Sequence, residues 1–270
     1  MESIGSLSQM ALLRIARRKK LKEDKRAKKE EKRKNSGVSR GISCALSGDN
    51  FEMIAAALQV EPSLEILVNS LPTLASLLEI SPDASYSQKV WVDFYDLPPR
   101  AELTEWADWA LEQPNAGGHS EISEALSVDY FARLGGDGFV SEMEVSYWCE
   151  YKMVDFLVNL PSGGEKKRVG VSVTRAMGFP RPEDFDWRDA LILLDKKMYG
   201  LIVAGESVNK EHNFELSILH IWCQTPRIAS ILRQVYQSFD VWDFGLDVGE
   251  NLILVLTVCP AEPIFRNVPW

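Results

Sequence analysis

Cysteine is scarce in this chain. Four occur in 270 residues, Cys44, Cys149, Cys223 and Cys259, and no two stand at C-x-x-C spacing. That excludes a C-x-x-C redox pair and predicts free thiols in a reducing compartment. Histidine is scarcer: a zinc centre would have to draw His119, His212 or His220 to those cysteines from afar. No G-x-S-x-G is present, so nothing supports a Ser/His/Asp triad. Gly135-Gly136-Asp137-Gly138 lacks the strand-loop-helix setting of a phosphate loop and reads as a turn. Long apolar runs are also missing. The longest clear one, Leu252 to Cys259, is far below the roughly 18 residues that span a bilayer. Met10 to Leu13 is too short for a secretory leader. The expectation is a soluble intracellular protein with no membrane partner.

Charge is plentiful and unevenly distributed. Residues 1–40 hold 14 Lys/Arg against 5 Asp/Glu, net +9, whereas residues 41–270 hold 16 against 34, net −18. The two parts call for separate accounts. From Arg17 to Asn35 only Leu21 and Ala27 are apolar, so no face can be buried and a solvated helix or disordered arm is expected. Three readings stand for this arm. Clusters Arg17–Lys20 and Lys25–Lys29 suit recognition by the nuclear import machinery through Arg17–Lys34, with contact to nucleic-acid phosphate, and so a nuclear location. A solubilising tail on a cytoplasmic protein is the second. A mitochondrial presequence is the third, on the amphipathic stretch Ala11–Arg18.

With 46% apolar residues the body can bury a large core. Residues 49–80 read as two or three short helices, punctuated by Pro62 and Pro72. Gln88–Tyr95 reads as a strand, and a helix from Pro99 carries Leu103, Trp106, Ala107, Ala110 and Leu111. Pro114-Asn115-Ala116-Gly117-Gly118 marks a boundary. This divides the chain into an arm (1–40), a mostly helical region (41–114) and an α/β domain (115–270). In the last, Ser120 caps a helix to about Leu134. Strands follow at Phe139–Trp148, Lys152–Leu160 and Arg168–Ala176, then a helix at about Asp184–Val203 and a strand at Glu215–Cys223. A helix from Pro226 to near Phe239 and a strand at Asn251–Cys259 complete it. The tryptophans at 91, 106, 109, 148, 187, 222 and 242 mostly stand beside apolar neighbours, as packing residues do.

Residues 119–224 thus run α-β-β-β-α-β, an order that resembles the core of the PD-(D/E)XK, or restriction-endonuclease-like, nucleases. The resemblance implies an α/β fold with a mixed central sheet, flanked here by N-terminal helices and a C-terminal helix–strand extension. It also implies an acid on the second core strand and an E-x-K on the third, converging on Mg²⁺ or Mn²⁺, with a Glu from the first helix. Asp155, in Met153-Val154-Asp155-Phe156-Leu157, takes the first role. A carboxylate among apolar neighbours is costly unless a metal, a lysine or backbone donors compensate it. Glu124 takes the helix role, with Glu121 three residues before it on one side. The E-x-K positions fall on Ser172 and Thr174, neither of which matches. Lys196 or Lys197, mid-helix, substitutes for the strand lysine.

Glu142 and Glu144, read on the first strand and sharing a face, are available as substitute acids for the unmatched motif but are expected on an exposed face. Arg175, Lys166, Lys167 and Arg168 are the candidate nucleic-acid contacts. The metal ligands are Asp155 and Glu124, and the catalytic set adds Ser172, Thr174, Lys196 and Lys197. The function implied is metal-dependent hydrolysis of nucleic-acid phosphodiesters. The alternative is an inactive nuclease-like subunit that binds nucleic acid or a protein partner.

Overall fold

A computed structural model describes residues 77–79, 84–113, 120–149, 152–239 and 251–266. The basic arm, most of the helices read in 49–80 and the break at Pro114–Gly118 lie outside the described residues, while Leu77 and Leu78 of the third helix are helical as read. Six strands form one mixed sheet: β1 (Val90–Phe94), β2 (Asp137–Ser141), β3 (Phe156–Ser162), β4 (Glu165–Ala176), β5 (Leu216–Cys223) and β6 (Leu252–Val258), in the spatial order β1-β6-β5-β4-β3-β2. β1, β6, β5 and β4 are mutually parallel, while β3 runs antiparallel to β4 and to β2. Among the described residues from 84 onward the α-helices are α1 (Glu105–Glu112), α2 (Glu121–Arg133), α3 (Trp187–Ser207), α4 (Pro226–Ser238) and α5 (Glu262–Arg266). The protein is therefore α/β with a mixed sheet, and α2-β2-β3-β4-α3-β5 follow one another in the chain.

The sheet is covered on both faces. Leu157, Leu219, Ile221, Leu254 and Leu256 form one core with Leu194, Met198 and Leu201 of α3 and Leu232 and Val235 of α4. Phe156, Val158, Val171, Ile218, Trp222, Ile253 and Val255 form the other with Leu126, Tyr130 and Phe131 of α2 and Phe265 of α5; Trp106 of α1 packs against it. Burial on both faces is why β5 and β6 read as continuous apolar runs instead of alternating. The strand read at 88–95 is β1, paired with β6 from Val90↔Leu254 to Phe94↔Val258, so part of the region read as helical belongs to this sheet.

Local chemistry sets the boundaries. Helix α3 starts at Trp187, three residues later than the sequence suggests, because Pro182–Asp184 form a 3-10 turn and Asp186 caps the helix. The Asp186 carboxylate accepts from the N–H groups of Arg188 and Asp189 at 2.8 and 3.1 Å, and Asp189 returns the bond to Asp186 N–H at 3.2 Å. Thr225 caps α4 ahead of Pro226. Ser120 has no side-chain capping bond to α2, contrary to expectation. β2 stops at Ser141, so Glu142 and Glu144 are turn residues and not strand residues. The cause is local: Glu144 folds back to accept from the N–H and hydroxyl of Ser141 at 3.0 and 2.8 Å.

A side-chain network links several buried polar groups of the second core, although His220 Nδ1 and Thr104 Oγ1 have no hydrogen-bond partner among the described residues. Asp129, fully buried on α2, accepts from the Tyr95 hydroxyl, from Thr104 N–H at 2.8 Å and from Arg133 Nε at 2.6 Å. Burial favours its protonated form, but Arg133, Tyr95 and Thr104 outweigh that and hold it below the usual carboxylate range. Tyr130 accepts from Trp91 Nε1 at 2.8 Å and donates to Asp93 at 2.9 Å.

Candidate active site

The site follows from strand register. Ser141 of β2, Phe156 of β3 and Val171 of β4 stand in one row across the sheet. One step along lie Glu142, Asp155 and Ser172, on chains spaced about 4.8 Å apart. β3 pairs with β4 only up to Phe156↔Val171, whereas β4 continues to Ala176 beside β5. Beyond Val171, β4 therefore has main-chain groups facing the β3 side without a strand to meet them. Asp155 N–H still reaches Val171 C=O at 2.8 Å. At Val173 side chains take over: the Asp155 carboxylate accepts from its N–H, and Lys197 of α3 donates to its C=O at 2.8 Å. The Ser172 hydroxyl also bonds the Asp155 carboxylate. Asp155 is held on the chain by Val154 N–H, which donates to the Tyr147 hydroxyl at 3.0 Å.

Glu124 reaches this point from the opposite face. The indole N–H of Trp222, level with Arg175 in the β4–β5 register, donates to Ser123 C=O and Ser127 Oγ, each at 2.9 Å. That fixes the first turns of α2 over the C-terminal end of β4. Arg175 donates to Ile264 C=O of α5 at 3.1 Å; burial weakens its hold on the proton and the charge of Glu124 strengthens it.

The three carboxylates disturb one another. Burial pushes Glu124 up, the charge of Asp155 adds to the shift, and Ser120 and Lys197 oppose it. Burial also pushes Asp155 up, against Lys197, Val173 N–H and Ser172. Burial, Asp155 and Glu124 together raise Glu142 to about 7. A cluster that gathers more negative charge than its cations neutralise binds protons instead.

No protein-family model matches the chain, and no solved structure matches it. Among curated proteins it is 32% identical over 133 residues to the "AAC-rich mRNA clone AAC4 protein" of Dictyostelium discoideum. The match takes in 47% of this chain and 19% of that protein, so it spans about a fifth of its relative's length. The name describes an mRNA clone and states no activity.

The structure brings together Asp155, Glu124, Ser172 and Lys197 from the residues singled out in the sequence. Thr174 follows on the same side of β4 as Ser172, the side on which Gly170 leaves room for the Phe214 ring. Lys196 is exposed, and it is Lys197 that reaches the strand. The basic triplet is a different matter. Lys166, Lys167 and Arg168 open β4, six to eight residues before Thr174 and so roughly 20–26 Å from it along the extended strand. They are also occupied: Lys166 pairs with Asp137, Lys167 donates to Leu78 C=O at 2.8 Å, and Arg168 to Glu211 C=O at 2.9 Å. They do not join the acid cluster.

Glu142 is the substitute acid that the sequence reading expected on an exposed strand face; it stands instead in the turn after β2. The signal was present in Ser141-Glu142-Met143-Glu144, an S-x-x-E turn pattern that ends the strand and delivers Glu142 beside Asp155. All candidate donors are hard oxygens, which Mg²⁺ and Mn²⁺ take. Among the described residues no three His, Cys, Asp or Glu side chains are gathered closely enough to hold a metal ion. Asp155 and Glu124, which interact electrostatically, form the candidate ligand pair.

Proposed function

We propose that the chain is a metal-dependent phosphodiester hydrolase acting on nucleic acid, with a core of the PD-(D/E)XK type. The observation that carries this reading is the Asp155 carboxylate on Val173 N–H and Lys197 on Val173 C=O, at the point where β4 outruns β3, within electrostatic reach of Glu124 and Glu142. Glu124 and Glu142 are not needed to complete the sheet, since Asp155 and Lys197 do that, yet both feel the charge of Asp155. Asp155 and Glu124 would hold Mg²⁺ or Mn²⁺. When bound, the ion supplies charge neutralisation on the phosphate and hydroxide near neutral pH. Glu142, one step across the sheet from Asp155, would take the proton of the attacking water. Lys197 stands where the strand lysine is missing and balances charge developing on the phosphate. Ser172 and Thr174 donate hydrogen bonds.

The test is Mg²⁺- or Mn²⁺-dependent cleavage of labelled DNA and RNA by the full chain. Wild type is expected to cleave one of them, and Asp155→Asn to lose the activity by at least about a hundredfold. Equal behaviour of the two proteins would remove the enzyme reading. A second reading has its own support: Ser172 and Thr174 replace the metal-binding acid and the lysine of the third strand. On that account the fold persists as a nucleic-acid- or protein-binding subunit, and binding without cleavage would be its signature.

A further inference from the structure

Interior strand β5 carries an imidazole into the second core. His220 is fully buried, between Val173 of β4 and Val255 of β6 in the sheet register. Its Nε2 bonds the Thr257 hydroxyl at 2.8 Å. Among the described residues nothing bonds Nδ1, and that atom is shut off from solvent. Three rings wall the imidazole in. Tyr130 stacks on it at 5.2 Å, Phe131 meets it edge-on at 5.3 Å, and Trp222 lies 4.8 Å away. Two of the three belong to α2. The third holds α2 down, through the bonds of its indole N–H to Ser123 C=O and Ser127 Oγ.

Such a cage suits a neutral ring. A second proton on the imidazole would bury a charge and leave an N–H at Nδ1 without an acceptor, and both are costly. Burial, with no charged neighbour to offset it, holds the imidazole far below its ordinary value, at about 3. Tyr130 is the titratable group that faces the ring, and its hydroxyl donates to Asp93 of β1. Elsewhere on α2, Asp129 is tied to Tyr95 and Arg133, Glu124 interacts with Asp155, and Glu121 is exposed. On β4, Arg175 donates to Ile264 C=O, and the charges of residues 165–168 stand at the far end of the strand. The strand that carries His220 is fixed by ladders to β4 and β6 along its length. The helix leans on the sheet through side chains, so it is the wall that can yield and let water reach the ring. We propose that His220 is an acid-sensitive latch on α2: a proton on Nδ1 lifts the helix from the sheet and withdraws Glu124 from Asp155. The latch stands whatever reaction the acid cluster performs.

Hydrogen exchange of the full chain, followed by mass spectrometry from pH 7 to 5 and corrected for the intrinsic pH dependence of exchange, tests it. The sign follows from linkage. The open form takes up a proton near the ordinary imidazole value of about 6.5 and the closed form does not, so opening grows as pH falls through that window. Glu124, Glu142 and Asp155 act in the opposite sense, since the closed form holds their protons. Wild type is therefore read against His220→Leu, which keeps those acids. The ratio of their opening constants in peptides covering 121–133 should rise about 10- to 30-fold from pH 7 to 5, while peptides of β5 and β6 keep their protection. Equal pH profiles for the two proteins, or the same rise in β5 and β6, would overturn the proposal. A second measurement needs no variant. In native wild type the His220 ring resonances should stay those of a neutral imidazole down to pH 5. A ring that takes up its proton with α2 still protected would overturn the latch as well.

Discussion

Replacing Glu142 by Gln should stabilise the protein at alkaline pH and leave it unchanged in acid. In the folded state the Glu142 carboxyl titrates at about 7, against 4.5 for a free glutamate. That difference corresponds to about 3 kcal/mol at most, and solvent screening of a partly buried side chain reduces it to about 1–3 kcal/mol. The direction follows from linkage. Below about pH 4.5 the carboxyl is protonated whether the chain is folded or not, and its contribution is complete. Between about 4.5 and 7 the unfolded chain gives up the proton and the folded chain keeps it, so stability falls as pH rises. Above 7 the folded chain holds a charge that Asp155 and Glu124 repel. Glutamine has the shape without the charge. Glu142→Gln should therefore melt roughly 2–8 °C above wild type at pH 8, and within a degree or so of it at pH 4. Differential scanning calorimetry at the two pH values reads this directly. Equal melting at pH 8, or a less stable variant there, would show that Glu142 does not feel the other two acids.

Lys197→Met leaves Val173 C=O without its donor and should cost about 1–3 kcal/mol in urea unfolding, with a loss of cleavage of about a hundredfold. Lys196→Met should stay within about 0.5 kcal/mol of wild type and keep its activity. Asp129→Ala strips the partner from Tyr95, Thr104 and Arg133 at once, and urea titration should show a loss of about 3–5 kcal/mol. Lys166→Ala should leave oligonucleotide affinity unchanged in anisotropy titrations, since that lysine stands at the far end of β4 and pairs with Asp137.

Much of the fold is legible in the sequence because the relevant signals are local. The apolar runs of β5 and β6, the glycine turn at Gly163-Gly164 and Pro226 at the head of α4 each report on their own neighbourhood. The errors arise where a distant contact or a side-chain bond decides. Lys152–Leu160 was expected as a strand, yet β3 starts only at Phe156, where the ladder to β4 begins. Pro161 and Ser162, beyond the strand expected at Lys152–Leu160, are part of β3, because β4 extends back to Glu165 to pair with Ser162. At the site, Asp155 stood out as a charge among apolar neighbours, a cost visible in one dimension. The choice of Lys197 over Lys196 depends on the rotation of α3 against the sheet. The place of Glu142 depends on cross-strand register joined to a turn. Trp148, expected in packing, is 69% exposed because β2 ends seven residues earlier.

Isothermal titration of the full chain with Mn²⁺ at pH 7.5, repeated in two buffers of different ionisation enthalpy, tests the central claim most directly. Acids that hold protons because they repel one another must release them when a divalent cation takes their place. The account predicts binding at one site with net proton release, abolished by Asp155→Asn and weakened by Glu124→Gln. Absence of binding at millimolar Mn²⁺, or binding without proton release that survives Asp155→Asn, would contradict it.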